Sequence, residues 1–142
     1  MIYVRDIMSR HVKTIGPERT VREAARTMTR SKIGSTIVVE GKPIGIVTEG
    51  DVLRAVGRGL DPGKTAVRTL MSRKLITTTP HENVENAAKL MAEAKVKKLP
   101  VIDDGRPVGI VTQTDIVDSS FELVTSLKEM VRARYRPPEF QP

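Results

Sequence analysis

The chain has 142 residues, with 24 Lys and Arg against 17 Asp and Glu, a net charge of +7, 39% hydrophobic residues and no cysteine. That size suits one compact module or two small intertwined ones, burying roughly two-thirds of the surface the unfolded chain would expose, and the composition excludes a disordered polymer, a disulfide framework and a thiolate metal site. No apolar run approaches about 18 residues and no apolar stretch opens the chain, so neither a membrane span nor a signal peptide is expected, which points to the cytoplasm.

The first block is VRDIMSR, Val4 to Arg10. Thr14 and Pro17 then make a T-x-x-P corner. Thr20 and Glu23 read as a capping box, and Val21, Ala24, Ala25 and Met28 recur at i, i+3, i+4 and i+7, one face of a short helix. Thr36 to Glu40 is rich in β-branched residues and leads through Gly41-Lys42-Pro43 into IGIV, the pattern of a β-hairpin. Asp51 to Val56 returns to helical spacing. Gly57 to Thr65, GRGLDPGKT, is a linker in which Gly57 or Gly59 ends the helix and Pro62 prevents its resumption. It superficially resembles a phosphate-binding P-loop, but GxxxxGK[ST] counted back from Thr65 needs glycine at Arg58, and a P-loop follows a strand rather than a helix.

From Val67 the same string returns. VRTLMSR repeats VRDIMSR, and Thr77, Pro80, Val84, Ala87, Ala88 and Met91 repeat Thr14, Pro17, Val21, Ala24, Ala25 and Met28. Asn83 opens the second helix, Leu99 to Asp103 is its following strand, and GRPVGIVTQTD at Gly105 to Asp115 repeats GKPIGIVTEGD at Gly41 to Asp51. The offset is 63 residues, then 64 after one extra residue near Asp103 and Asp104. Each copy reads as strand, helix, strand, strand, helix, which is an α/β (α+β) unit. A duplicated unit of this kind does not close its own core, so two copies are expected to pack with pseudo-twofold symmetry around paired clefts. The expected division is residues 1–62 and 63–120, with 121–142 as a helical extension and basic tail. Val117, Phe121, Val124, Leu127 and Val131 continue the last helix on one stripe, widened by Leu123 and Met130, either over its own module or across a twofold axis. Arg132, Arg134 and Arg136, followed by Pro137 and Pro138, form the basic tail.

The block GIVTEGD has parts a plain strand does not want. Gly45 and Gly109 lack side chains where a ligand, or another backbone, could lie flat on the strand. Thr48 and Asp51, like Thr112 and Asp115, stand three apart at a helix start, beside its unpaired amides and positive dipole end. A carboxylate there accepts both hydrogens of a ribose diol, while a hydroxyl and free N–H groups suit a phosphate oxygen. The same spacing is also close to a capping box that satisfies only its own backbone.

Two copies of T-x-x-P, helix, hairpin and GIVTxxD resemble a pair of cystathionine β-synthase (CBS) domains, the tandem unit called a Bateman module. The resemblance covers about residues 4 to 119. It implies two repeats packed through their sheets into a pseudo-symmetric disc whose clefts bind AMP, ADP, ATP or S-adenosylmethionine. It further implies ribose contacts from Asp51 and Asp115 and ribose or phosphate contacts from Thr48 and Thr112. Adenine contacts are implied from Thr14, Ile15, Thr77 and Thr78, with Ile46 and Ile110 against the base. Lys97 and Lys98, ahead of Leu99-Pro100-Val101, match the family's phosphate-reaching position, and Pro100 falls in the same set. The first repeat has Gly34-Ser35-Thr36 there, so Ser35 offers a hydroxyl and no charge, and the two clefts are expected to differ. Gly50 and Thr114 stand where many relatives carry Arg or Lys.

His11 and His81 sit in polar turns without a partner acid or nucleophile, and no HExxH or paired-Cys pattern is present, so neither catalysis nor a transition-metal site is expected. Met8, Met28, Met71 and Met91 fall on repeat-equivalent apolar positions and read as core filling. The expectation is a stand-alone regulatory module, not an enzyme, that senses an adenosine ligand, pairs as a homodimer and signals to a separate effector protein. The rival expectation is a nucleic-acid-binding protein that uses the +7 charge and the Arg tail. With two Phe, two Tyr and no Trp, it would have little for base stacking. The blander reading of the excess charge is solvated surface, and an enzyme acting on nucleotides is the third option.

Overall fold

The computed structural model describes residues 1–134, without the side chains of 121–124, 126, 127 and 134. In chain order it runs α1 (Val4–Ile7), β1 (Thr14–Ile15), α2 (Val21–Ser31), β2 (Ser35–Glu40), β3 (Lys42–Thr48) and α3 (Glu49–Gly57). After a 3₁₀ turn at Val67–Thr69 come α4 (Val84–Ala94), β4 (Lys98–Asp103), β5 (Arg106–Thr112), α5 (Gln113–Ser119) and α6 (Phe121–Arg134). β1 pairs parallel to β2, which pairs antiparallel to β3. In the second repeat β4 and β5 form the hairpin, and the opening strand shrinks to one parallel bridge, Thr78 with Val101. The two sheets meet where β3 contacts β5.

Local chemistry accounts for these boundaries. The Thr20 side chain accepts the Glu23 N–H at 3.2 Å, whereas the Glu23 carboxylate meets the Thr20 hydroxyl at 3.5 Å, so only half of the expected box forms. Asn83 caps α4 by accepting the Asn86 N–H at 2.7 Å. Val21, Ala24 and Met28, and their counterparts Val84, Ala87 and Met91, are buried as the periodicity requires, while Ala25 and Ala88 are half-buried. α3 stops at Gly59, whose φ is +78°. The Gly59 N–H bonds Val56 O and the Leu60 N–H bonds Ala55 O, the paired closure that a left-handed residue permits, so Gly57 lies inside the helix and Gly59 is the terminator. The linker beyond it serves α2. Pro62 O and Thr65 O accept the N–H groups of Arg22 and Val21, which α2 itself leaves unpaired.

The apolar cores do not follow the order of the repeats. Val4 and Met8 pack with Ala87, Met91, Leu99, Val101 and Val111, whereas Val67 and Met71 pack with Ile15, Ala24, Met28, Val38 and Val47. Each opening heptapeptide therefore completes the core of the other repeat. Backbone pairing fixes the exchange: Ser9 and Ile110 trade N–H groups at 2.8 and 2.9 Å, and Ser72 and Ile46 do so at 3.0 and 3.3 Å. Gly45 and Gly109 are what let these segments cross. A Cβ on Gly45 would lie 2.7 Å from Ser72 O and 2.8 Å from Met71 Sδ, and one on Gly109 would lie 2.7 Å from Ser9 O and 2.8 Å from Met8 Sδ. Of the two uses open to these glycines, another backbone is the one realised. Each valine buried this way contributes roughly 1.5–3 kcal/mol, which neither repeat would recover alone.

A polar latch reinforces one crossing. The Arg68 N–H bonds Pro17 O at 2.9 Å, and its guanidinium donates to Glu18 at 2.7 Å and Glu40 at 2.6 Å. Those hydrogen bonds, Glu18's first, push the Arg68 pKa above its ordinary value. The repeat-equivalent Arg5 bonds Pro80 O through its N–H, faces His81 Nδ1 at 3.3 Å and stacks 4.6 Å above the Tyr3 ring.

The C-terminal expectation needs correction. The last helix does not run through: α5 ends at Ser119, Ser120 adopts φ −96° and ψ 4°, and α6 begins at Phe121. The hydroxyls of Ser119 and Ser120 both donate to Ile116 O, at 2.7 and 3.2 Å, competing with the helix ladder where the break falls. Val117, Met130 and Val131 are 61%, 59% and 64% exposed, so these members of the stripe do not pack on their own module. Arg132 is exposed. The side chains of Phe121, Leu123, Val124, Leu127 and Arg134, and Arg136 with its prolines, lie outside the described ones.

Candidate functional site

Both helix entrances are complete capping boxes. Asp51 Oδ2 accepts the Thr48 N–H at 2.8 Å and the Thr48 hydroxyl at 3.1 Å, and Thr48 Oγ1 accepts the Asp51 N–H at 3.3 Å. At the second entrance Asp115 Oδ2 accepts the Thr112 N–H at 2.8 Å and Thr112 Oγ1 accepts the Asp115 N–H at 3.1 Å. The first N–H of each helix is also occupied, Glu49 by Gly34 O at 3.1 Å and Gln113 by Lys97 O at 2.9 Å. The expected row of free amides thus reduces to the N–H of Gly50 and of Thr114. The second carboxylate oxygen differs between the two entrances. Asp51 Oδ1 is held by Arg54 at 2.7 Å, while Asp115 Oδ1 has no partner among the described residues.

Register decides which side chains share a wall. Ser35 stands opposite Thr48 and Ile37 opposite Ile46, as Lys98 stands opposite Thr112 and Pro100 opposite Ile110. Beside Thr48–Asp51 lies a cleft of about 650 Å³, walled by Ile46 and Arg54 from the first repeat and by Leu75, Ile76, Lys97, Lys98 and Pro100 from the second. A drug-sized ligand fits such a volume, which lies within the usual range of about 300–1,000 Å³.

Six of the expected residues thus come together in one cleft: Ile46, Thr48, Asp51, Lys97, Lys98 and Pro100. Ile110, Thr112 and Asp115 occupy the pseudo-equivalent entrance. Ile15 has its side chain in the core with Ala24 and Val38, because strand alternation turns it inward. Thr14 is exposed on the edge strand, Ser35 is buried, Thr78 is buried under its bridge to Val101 and Thr77 is half-buried. The apolar wall next to the second corner is Leu75 and Ile76 instead, because the Ser72 crossing carries that segment across Ile46. Lys98 turns its ammonium onto Gly34 O at 3.2 Å, which ties the repeats together at the cleft. Sequence reasoning missed Arg54, Lys74, Leu75, Ile76 and Lys95. Arg54 alone left a signal, since Asp51 and Arg54 are i, i+3 on one helix.

His11 and His81 are exposed, and among the described residues no group of three His, Cys, Asp or Glu could hold a metal ion. No helix of the described residues is long and apolar enough to cross a membrane.

A CBS domain model matches residues 4–58 and again 67–122. The chain belongs to the CBS domain family. It is 36% identical over 135 residues to an uncharacterized protein of Methanopyrus kandleri, covering 92% of this chain and 69% of that one. It is 37% identical over 118 residues to the CBS domain-containing protein YhcV of Bacillus subtilis, covering 82% and 84%. Among solved structures, the CBS domain pair of protein MJ0100, in complex with 5'-methylthioadenosine and S-adenosyl-L-methionine, superposes with a TM-score of 0.78 at 30% identity, covering 87% of this chain and 98% of that one. The expected architecture of two CBS repeats meeting through their sheets therefore holds.

Proposed function

We propose that this CBS pair is a regulatory module that binds an adenosine compound between its repeats and performs no chemistry on it. The observation that carries the reading is the cleft at Thr48–Asp51, where an apolar wall of Ile46, Leu75, Ile76 and Pro100 meets a carboxylate on one side and lysines on the other. That combination suits a flat base, a diol and an anionic end together, and the similar MJ0100 pair was solved with 5'-methylthioadenosine and S-adenosylmethionine. In this reading Asp51 holds a ribose through Oδ1, Ile46 lies against the base and Lys97 reaches a phosphate. Thr112, Asp115 and Ile110 do the equivalent work at the other entrance. AMP, ADP, ATP and S-adenosylmethionine are the candidate ligands. A ligand in the cleft biases the relative setting of the repeats by its differential affinity for the two arrangements, and a separate effector protein reads that setting.

The module pairs with a second copy in this reading. Leu53 and Val56 on α3 and Val117 on α5 are exposed, and Leu53 and Val117 are repeat equivalents. An isologous contact through these exposed apolar side chains is the pairing expected.

The test is calorimetry and thermal shift with AMP, ADP, ATP, S-adenosylmethionine and a short DNA duplex. A ligand at a hundred times its Kd stabilises by about 2.7 kcal/mol. Asp51→Asn and Asp115→Asn are each expected to weaken one cleft and spare the other. Binding of DNA alone, or titrations unchanged in both variants, would overturn the assignment.

A further inference from the structure

The two entrances repeat each other in backbone and capping but not in charge. The cleft at Thr48–Asp51 is lined by Arg54, Lys74, Lys95, Lys97 and Lys98 against the carboxylates of Glu49 and Asp51. Lys74, Lys95 and Lys97 make no salt bridge among the described residues, so most of this positive charge is uncompensated. At the repeat-equivalent positions the chain has Asp118, His11, Lys32, Gly34 and Ser35. The cationic rim therefore belongs to this one cleft, not to the repeat as such.

Arg54 is the decisive difference. Asp51 Oδ2 already accepts two hydrogens from Thr48, and Arg54 donates to Oδ1 at 2.7 Å. The carboxylate is thereby neutralised within the site, while the arginine, 63% exposed, keeps further N–H donors facing outward. A bare carboxylate at the ribose end of a small cleft repels a nearby phosphate, and a carboxylate paired with arginine does not. At Asp115 the residue one turn on is Asp118, which adds a second negative charge instead of cancelling the first.

From this the geometry points to Arg54 as a specificity-determining residue: with the lysine rim, it makes the Thr48–Asp51 cleft select phosphorylated adenosine compounds over uncharged or cationic ones. The inference rests on the adenosine reading above, and the experiment separates the two. ATP, adenosine, S-adenosylmethionine and inorganic tripolyphosphate are titrated calorimetrically at two salt concentrations into the full chain and into Arg54→Gln, Arg54→Asp and Lys97→Gln. Circular dichroism of each variant confirms the fold. The chain as it stands is expected to bind ATP more tightly than adenosine or S-adenosylmethionine, with affinity falling as salt rises. Arg54→Asp, which installs the second repeat's residue, is expected to lower ATP affinity roughly tenfold or more, the worth of a charge-assisted contact, and to change adenosine affinity less than about threefold. Arg54→Gln falls between, and Lys97→Gln reproduces the loss for ATP and tripolyphosphate. If ATP and adenosine weaken in parallel, or ATP binding ignores both Arg54 variants, Arg54 only orders the helix entrance and the inference is overturned with the adenosine reading intact. If tripolyphosphate binds and responds to Arg54 while no adenosine compound binds, the anion selectivity stands and the adenosine reading falls.

Discussion

Gly45→Ala tests why the GIVTxxD block carries a glycine at all. The new Cβ would sit 2.7 Å from Ser72 O, and that oxygen cannot retreat cheaply because it accepts the Ile46 N–H while the Ser72 N–H bonds Ile46 O. Forcing a methyl into such a contact costs about 1–3 kcal/mol, and weakening the two bridging hydrogen bonds adds about 0.5–1.5 kcal/mol each. Alanine's lower backbone entropy cost returns roughly 0.5–1 kcal/mol. The expected net loss is about 2–3 kcal/mol, which for a chain of this size lowers Tm by about 10 °C in calorimetry or a circular-dichroism melt. Gly109→Ala, facing Ser9 O at the same 2.7 Å, is expected to match it. Two internal controls fix the interpretation. Among the described residues nothing outside its own helix and chain neighbours lies within 4 Å of a Cβ on Gly57, which is inside α3, so Gly57→Ala is expected to stabilise by about 0.5–1 kcal/mol. Gly59 is equally open but sits at φ +78°, so Gly59→Ala is expected to lose about 1 kcal/mol through backbone strain alone. A Gly45→Ala protein that melts like the parent but binds ligand poorly would show that the glycine serves the ligand, and the account of the crossing would be wrong.

Further outcomes follow from the same packing. Val4→Ala and Val67→Ala each remove a fully buried side chain from the core of the opposite repeat, and each is expected to cost about 2–3 kcal/mol by chemical denaturation, the lost methyls plus the cavity they leave. Hydrogen exchange would then show Val4→Ala loosening the amides of β4 and β5 before those of β2 and β3. Thr36 is fully buried where the second repeat has Leu99, and its hydroxyl has no hydrogen-bond partner among the described residues. Thr36→Val keeps the shape and is expected to stabilise by roughly 1 kcal/mol, read as a raised denaturation midpoint. Arg68→Met breaks both contacts of an exposed latch, and the expected result is a small loss of stability that shrinks as salt is raised.

The duplication made much of this molecule legible. Helix stripes, hairpins and entrances follow from periodicities that two copies state in parallel, so the chance of misreading one is reduced by the other. The exchange of opening heptapeptides was not legible, because Val4, Met8, Val67 and Met71 announce only that they are buried, and either repeat could have buried them. The break between α5 and α6 was hidden for a similar reason: the apolar stripe continues through Ser119 and Ser120, and only their hydroxyls, bonding back to Ile116 O, interrupt it. At the site, Thr48 and Asp51 were visible as a local motif. Lys74, Leu75 and Ile76 were not, since they reach the cleft only because Ser72 crosses Ile46. The inward face of Ile15 was not legible, because a two-residue strand is too short for its alternation to show in the sequence.

The exchange also limits how this pair can move. Repeats joined only by the linker at Gly57 to Thr65 would be free to hinge apart, but here Ser9–Ile110 and Ser72–Ile46 clamp the two bodies at symmetry-related points, and separating them would pull Val4 and Val67 out of their cores. The motion expected to keep both bridges is a small shear where β3 meets β5. Such a shear is expected to change the gap between Thr48–Asp51 and the Lys95–Lys98 segment, which both line the cleft. Under the proposed function, a ligand touching both walls is expected to couple to that motion. To move a 1:99 population to 99:1 it must prefer one setting by about 5.5 kcal/mol, which is more than one charge-assisted contact supplies. The apolar wall, the Asp51 carboxylate and the cationic rim have to act together, so a ligand fragment that fills only one of them is expected to bind without switching.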